Sequence, residues 1–255
     1  MLRWKDDERF VVGETTFRAM PPDVFDEQPE LAEGEFFVFK PRSLVERHAA
    51  LIDALEPRHI FELGFFQRGS TLFFAELARP RRLVAIDRKP LKQEMDGVEG
   101  YIASRGLADV VRSYGEVDQG DRGRLAEIFE EAFGECALDL VVDDCSHLYE
   151  PTRASFNELF PRLRPGGVYV IEDWWWAHTP LGVEPLEGFY PNEIPLTRLL
   201  FEIVLAIPGV PDLITEVAVE KEFALIRRGE ASVDPATFDV SACSNPRGRA
   251  LVAPA

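Results

Sequence analysis

"HIFELGFFQRGSTLFFAELARPRRLVAID", His59 to Asp87, decides the fold. The apolar run at 59–64 reads as a strand buried on both faces, "STLFFAELARP" as a helix, and "RRLVAID" (81–87) as a second buried strand. A helix between two such strands implies a parallel crossover, because a tight hairpin joins only antiparallel neighbours. The alternation continues outward. "PLKQEMDGVEGYIASRG" (90–106) is a helix, "DVVRSYGE" (109–116) a weaker strand, and "RGRLAEIFEEAFG" (122–134) a helix with Leu125, Ile128, Phe129 and Phe133 on one stripe. "ALDLVVDD" (137–144) and "GVYVIED" (167–173) are strands on either side of the helix "PTRASFNELFPRL" (151–163), with Pro151 at its tolerated first turn. Such alternation predicts an α/β fold, a parallel sheet with helices on both faces. "LITEVAVEK" (213–221) and "FALIRRG" (223–229) have almost nothing between them, so the sheet closes with an antiparallel hairpin.

The flanks are less regular. "MPPDVFDEQPELAEGEFF" (20–37) reads as an extended arm or lid, and "KPRSLVERHAALIDALEP" (40–57) as an amphipathic helix with a packed or capping His48. The expected division is 1–57 for the N-terminal arm and helix, 58–229 for the main domain, and 230–255 for a loosely held tail. No internal repeat is visible.

A chain of 255 residues, 46% of them hydrophobic, can bury a large core. Its net charge of −17 argues against general nucleic-acid binding, which needs clustered Lys and Arg. Three cysteines, Cys136, Cys145 and Cys243, make neither a disulfide framework nor a metal-binding spacing and suit a reducing compartment. The charged start "MLRWKDDERFVV" lacks a signal-peptide core, and no run reaches the ~18 apolar residues of a membrane span. A soluble cytoplasmic protein is expected, with a homo-oligomer left open.

Ionisable chemistry gathers at the strand ends. Glu62 and Gly64 close the first strand, Gly69 and Ser70 open the next helix, and glycines there let a ligand approach the helix N-terminus. The spacing is neither the three-glycine dinucleotide fingerprint nor a phosphate loop. Asp87 ends the second strand, where an acid can accept ribose hydroxyls. Gln119 and Asp121 follow the third strand and could line an adenine pocket, although Asp121 reads equally well as the N-cap of the helix from Arg122. These three turns predict an adenosine-type site, with Asp143 counted among its candidates.

The acids of the fourth and fifth strands point to a cation. Asp144, Glu172 and Asp173 would repel one another unless a positive charge sat among them. A hard divalent ion, Mg²⁺ first, suits an all-oxygen set. His147, three residues past Asp144, could take a proton near neutral pH. The alternative is that Asp143 and Asp144 cap the following helix and His147 only packs. The run Trp174–Trp176 could wall an organic acceptor or supply core residues, and the Pro/Gly-rich 177–195, with His178, reads as a substrate lid.

"FELGFFQRGS", "AIDRKP", "DQGDRGRL", "DDCSHLYEPTRASFNELFPRLRPGGVYVIED" and the closing hairpin together resemble class I S-adenosylmethionine-dependent methyltransferases over roughly residues 58–229. Within that superfamily the middle block looks like the metal-dependent sugar O-methyltransferases of the macrocin and mycinamicin type. The resemblance implies a Rossmann-like, doubly wound, mostly parallel seven-stranded sheet with an antiparallel last strand. It implies Asp144, Glu172 and Asp173 as Mg²⁺ ligands and His147 as general base. Glu62, Gly64 and Asp87 would belong to the S-adenosylmethionine site, with Ser70, Gln119, Asp121 and Asp143 beside them. The acceptor would be a hydroxyl of a glycosylated or polyketide-type small molecule. Alternatives are a catechol, carboxylate or amine acceptor, or a non-catalytic adenosyl-ligand binder; neither nucleic acid nor membrane is an expected partner. Cys145 stands where the family usually has glycine, and the triple tryptophan lies outside the family's pattern.

Overall fold

The computed structural model describes residues 1–19, 31–91, 96–178 and 194–244. The chain divides into two compact units, Met1–Glu116 and Val117–Ala255.

The first unit opens with four short strands, β1 (Leu2–Trp4), β2 (Arg9–Val12), β3 (Thr15–Ala19) and β4 (Glu35–Val38). The first three pair antiparallel, and β4 joins β3 in parallel. Where the sequence suggested an arm, the chain therefore builds a sheet; residues 20–30 of that expectation lie outside the described residues. The sheet is held by aromatic packing. Phe10 and Phe17 are fully buried, and their rings lie 5.6 and 6.1 Å from Phe73 of the helix α2 (Gly69–Ala78). Each such buried ring contributes about 1.5–3 kcal/mol by leaving water.

Helix α1 (Arg42–Leu55) follows, burying Leu44, Val45, His48, Leu51 and Ile52. His48 is completely buried, with its ring edge-on to Phe74 at 5.1 Å, as a packed histidine would be. Then come β5 (His59–Leu63), α2, β6 (Arg82–Ile86), α3 (Asp96–Ser104) and β7 (Val111–Tyr114). β5 pairs with β6 and β6 with β7, all parallel, and Ile60, Phe61, Leu63 and Leu83–Ile86 are buried.

The second unit holds α4 (Arg122–Phe133), β8 (Leu138–Asp143), α5 (Tyr149–Leu159), β9 (Leu163–Glu172), α6 (Thr197–Gly209), β10 (Ile214–Val219) and β11 (Phe223–Arg228). β8 and β9 are parallel, while β11 runs antiparallel to both β9 and β10. Every residue of β8 is buried, including Asp139, which pairs with Arg164, and Leu140 to Val142 form the apolar run that precedes its final acid. The large sheet has seven strands in the order β10-β11-β9-β8-β5-β6-β7. This is the mostly parallel, doubly wound arrangement with one antiparallel strand that the sequence pattern predicts.

Two parts of the second unit were not read from the sequence. Helix α6 occupies a stretch whose apolar residues show little polar relief, so its period is hard to see. The tail, expected to be loose, is pinned as far as it is described. Arg122 donates to the Pro235 carbonyl at 2.8 Å, Arg153 pairs with Asp239 at 2.8 Å, and Val240 is buried while its N–H bonds the Asn157 side chain. Among the described residues, no helix is long and apolar enough to cross a membrane.

Candidate active site

In the first unit the chain turns sharply between β5 and α2. Gly64, Phe66 and Arg68 all have positive φ, at 86°, 43° and 66°. Two strand-end acids hold this turn. Asp87, just past β6, accepts backbone N–H groups from Phe65 at 3.1 Å and Phe66 at 2.8 Å through one oxygen, and from Lys89 at 2.8 Å through the other. Glu62, 1% exposed, accepts the Ser70 hydroxyl at 2.5 Å and the Thr71 hydroxyl at 2.6 Å. The four donor-site candidates of this unit, Glu62, Gly64, Ser70 and Asp87, thus belong to one turn. Gly69 has a different reason to be glycine than the sequence suggested. A Cβ there would lie 1.5 Å from the Phe37 carbonyl oxygen, so the close approach is to β4.

In the second unit the ends of β8 and β9 carry the acids. Ligand atoms of Asp144, His147 and Asp173 all lie within 4.8 Å of one another. His147 Nε2 is 4.0 Å from Asp144 Oδ1, with side chains 12% and 25% exposed. His147 and Asp173 both sit in the left-handed region, at φ 56° and 52°. Non-glycine residues hold that conformation only where the surroundings fix it, and such residues cluster at functional sites. Glu172 ends β9, paired with Phe223 of β11, and is 1% exposed; it stands outside the trio.

Asp143 turns away from its neighbour Asp144, into the protein. Its Oδ1 accepts Gln119 Nε2 at 2.6 Å, and its Oδ2 accepts the Tyr169 hydroxyl at 2.6 Å and the Ser155 hydroxyl at 2.9 Å. Burial pushes the carboxyl up to about 7, against the opposing pull of these hydrogen bonds. Burial and the nearby Asp143 carboxylate hold the Tyr169 phenol well above its ordinary range. Asp121 is the N-cap of α4, accepting the Arg124 N–H at 3.0 Å.

The three tryptophans that the sequence offered as wall or core are all partly exposed. Trp174 Nε1 donates to the Glu220 carbonyl at 2.8 Å, and the Lys221 ammonium lies 4.6 Å from the Trp175 ring. The Trp176 ring packs against His147. Sequence reasoning missed that contact, because nothing in a Trp run says which ring turns toward a histidine 29 positions earlier. His178, which the sequence placed in the lid segment, bonds the Thr197 hydroxyl. Residues 179–193 of the expected lid lie outside the described residues.

The methyltransferase-domain family profile matches residues 61–174. Demethylmacrocin O-methyltransferase of Streptomyces fradiae is 51% identical over 63 residues, which are 25% of this chain and 15% of that protein. Mycinamicin VI 2''-O-methyltransferase of Micromonospora griseorubida is 57% identical over 62 residues, 24% of this chain and 16% of that protein. The structure of the MycE methyltransferase from the mycinamycin biosynthetic pathway, in complex with Mg, SAH and mycinamycin VI, superposes with a TM-score of 0.54 at 25% identity. That match covers 76% of this chain and 51% of the MycE chain, so the chain spans about half of that relative's length. Residues 61–174 thus match a methyltransferase domain, the fold is of the Rossmann-like type, and the chain resembles the macrocin and mycinamicin sugar O-methyltransferases.

Proposed function

We propose that the chain is an S-adenosylmethionine- and Mg²⁺-dependent O-methyltransferase acting on a hydroxyl of a small-molecule natural product, glycosylated or polyketide-type. The observation that carries this reading is the convergence of Asp144, His147 and Asp173 at the ends of two adjacent parallel strands. That edge of an α/β sheet is where ligands bind. Two partly exposed carboxylates offer hard oxygen donors to one point while leaving room for water or substrate, as a small divalent ion requires. The MycE complex, which holds Mg and SAH, supports the same assignment.

When bound, the ion would make an acceptor hydroxyl more acidic, and S-adenosylmethionine would supply the methyl group. The chain's own residues have distinct tasks. Asp144 and Asp173 would hold the positive charge in place, while Glu172, which the sequence offered as a third ligand, is buried outside the trio. His147 takes the hydroxyl proton on its imidazole. Trp176 covers part of that imidazole and limits how it can turn. In Met1–Glu116, Asp87 and Glu62 fix the turn assigned to the donor.

The deciding experiment supplies donor carrying an isotopically labelled methyl group to a panel of glycosylated and polyketide hydroxyl compounds, with products followed by mass spectrometry. Labelled methyl ethers that vanish with EDTA and return with Mg²⁺ are expected. Full turnover with no metal present would remove the ion from the reaction. Donor binding without any methylated product across the panel would remove this acceptor class.

A further inference from the structure

Gln119 lies before α4 and is 3% exposed. A glutamine amide has two N–H donors and two carbonyl lone pairs, and here all four are engaged within the second unit. Nε2 donates to Asp143 Oδ1 at 2.6 Å and to Ser155 Oγ at 3.0 Å. Oε1 accepts the Ser146 N–H at 3.2 Å and the Ser146 hydroxyl at 2.6 Å. The Asp143 carboxylate fixes which way the amide points, because the NH₂ end must face it. The carbonyl end is then presented to the loop between β8 and α5.

That loop carries Asp144 and His147. Ser146 Oγ, held by Gln119, also accepts the Leu148 N–H at 3.3 Å, so the residues on both sides of His147 are tied to one hydroxyl. His147 between them has φ 56°. A histidine keeps that backbone conformation only where its neighbours over-determine it. The loop also lacks a glycine that could adopt it freely, since Cys145, Ser146 and His147 follow one another.

We infer that Gln119 and Ser146 are positioning residues. Through the Gln119 amide, the buried Asp143 at the end of β8 sets the conformation of the loop that presents Asp144 and His147. This rests on the proposed role of those two residues. It assigns Gln119 to the base and cation side of the reaction and leaves its side chain no free group for an adenine pocket.

Three variants test it: Ser146→Ala removes the loop tie alone, Ser146→Thr restores a hydroxyl, and Gln119→Leu removes the whole bridge. Amide hydrogen exchange is read across residues 144–148, S-adenosylhomocysteine affinity by calorimetry, and kcat separately from the donor KM. Ser146→Ala is expected to speed exchange at Leu148 about tenfold, as loss of one hydrogen bond allows. It should lower kcat by up to about 10²-fold through misplacement of the base, with S-adenosylhomocysteine affinity and donor KM unchanged. Ser146→Thr should recover both exchange protection and kcat. A folded Ser146→Ala protein with unchanged loop exchange would overturn the inference. So would a folded Gln119→Leu protein that loses S-adenosylhomocysteine affinity while the loop stays protected. Should Gln119→Leu fail to fold, the two Ser146 variants decide. If the wild type methylates no acceptor, the functional reading fails, and exchange with S-adenosylhomocysteine affinity still decides the positioning.

Discussion

The indole of Trp176 lies against the imidazole of His147, ring centres 4.3 Å apart and planes tilted by 42°. The Trp176 backbone N–H also donates to the Asp173 carbonyl at 3.2 Å. One residue outside the family's sequence pattern thus touches two members of the trio. Aromatic contacts of this kind are worth about 0.5–1.5 kcal/mol beyond their buried area. Trp176→Ala should therefore lower kcat by roughly 2- to 10-fold, and Trp176→Phe should retain most of it. Steady-state kinetics on the two variants checks this, and an alanine variant as fast as wild type would show the contact to be inert.

Asp87 governs the turn after β5. Its three backbone N–H partners, Phe65, Phe66 and Lys89, make it a shaping group as well as a candidate ribose acceptor. Hydrogen bonds to a charged group contribute about 1.5–3 kcal/mol each. Asp87→Ala should weaken S-adenosylhomocysteine binding by about that much and lower the melting temperature, whereas Asp87→Asn should lose less of both. Calorimetry showing unchanged affinity in folded Asp87→Ala would remove Asp87 from the donor site.

Asp143 makes stability depend on pH in a particular direction. Burial in the fold raises its carboxyl from the ordinary 3.8 to about 7. Between those values the folded state holds a proton that the unfolded chain has released. The stability contributed by protonated Asp143 is therefore fully present below about pH 4 and is lost as pH rises through about 7. Asp143→Asn, which cannot ionise, should flatten that part of the curve. Urea unfolding of metal-free wild type and variant across this range checks it; parallel pH dependences would show that Asp143 does not titrate there.

The strands and acids of the main sheet were legible because each is a short apolar run ending in a charge. β6 is the clearest case, with Leu83 to Ile86 buried and Asp87 just past its end. The direction of each acid was not legible. Asp143 and Asp144 are neighbours in sequence, yet one enters a buried network and the other joins His147 and Asp173. The four N-terminal strands are three to five residues long and interrupted by charge, so their alternation is too short to stand out. What stabilises them is contact with α2, which sequence pattern does not report. The tail escaped notice for the same reason, since Asp239 and Val240 find their partners on α5.

Phe17 tests whether that N-terminal sheet is part of the fold. It is fully buried, with ring centres 5.4 Å from Phe10 and 6.1 Å from Phe73. Phe17→Ala should cost about 3–5 kcal/mol, the usual range for truncating a buried phenylalanine. A urea midpoint close to wild type would mean that the sheet is an appendage, as the sequence alone suggested.

His147 carries the most consequential prediction, because its place allows two roles. Its Nε2 is 4.0 Å from Asp144 Oδ1 and belongs to the same cluster as Asp173, so it could bind the cation or stand beside it as the base. The two roles separate in measurement. As the base, His147→Ala should lose on the order of 10²–10⁴ in rate, the ordinary worth of positioned acid–base catalysis. Mn²⁺ affinity, followed by electron paramagnetic resonance, should then stay near wild type, and so should S-adenosylhomocysteine affinity. The rising acid limb of the wild-type pH–rate profile should disappear in the variant. As a ligand, His147→Ala should instead lose Mn²⁺ affinity, and raising the metal concentration should restore the rate. A folded variant that binds Mn²⁺ and donor normally and turns over at the wild-type rate would leave His147 as a packing residue beneath Trp176. His178, bonded to Thr197 at the start of α6, would then be the histidine to examine.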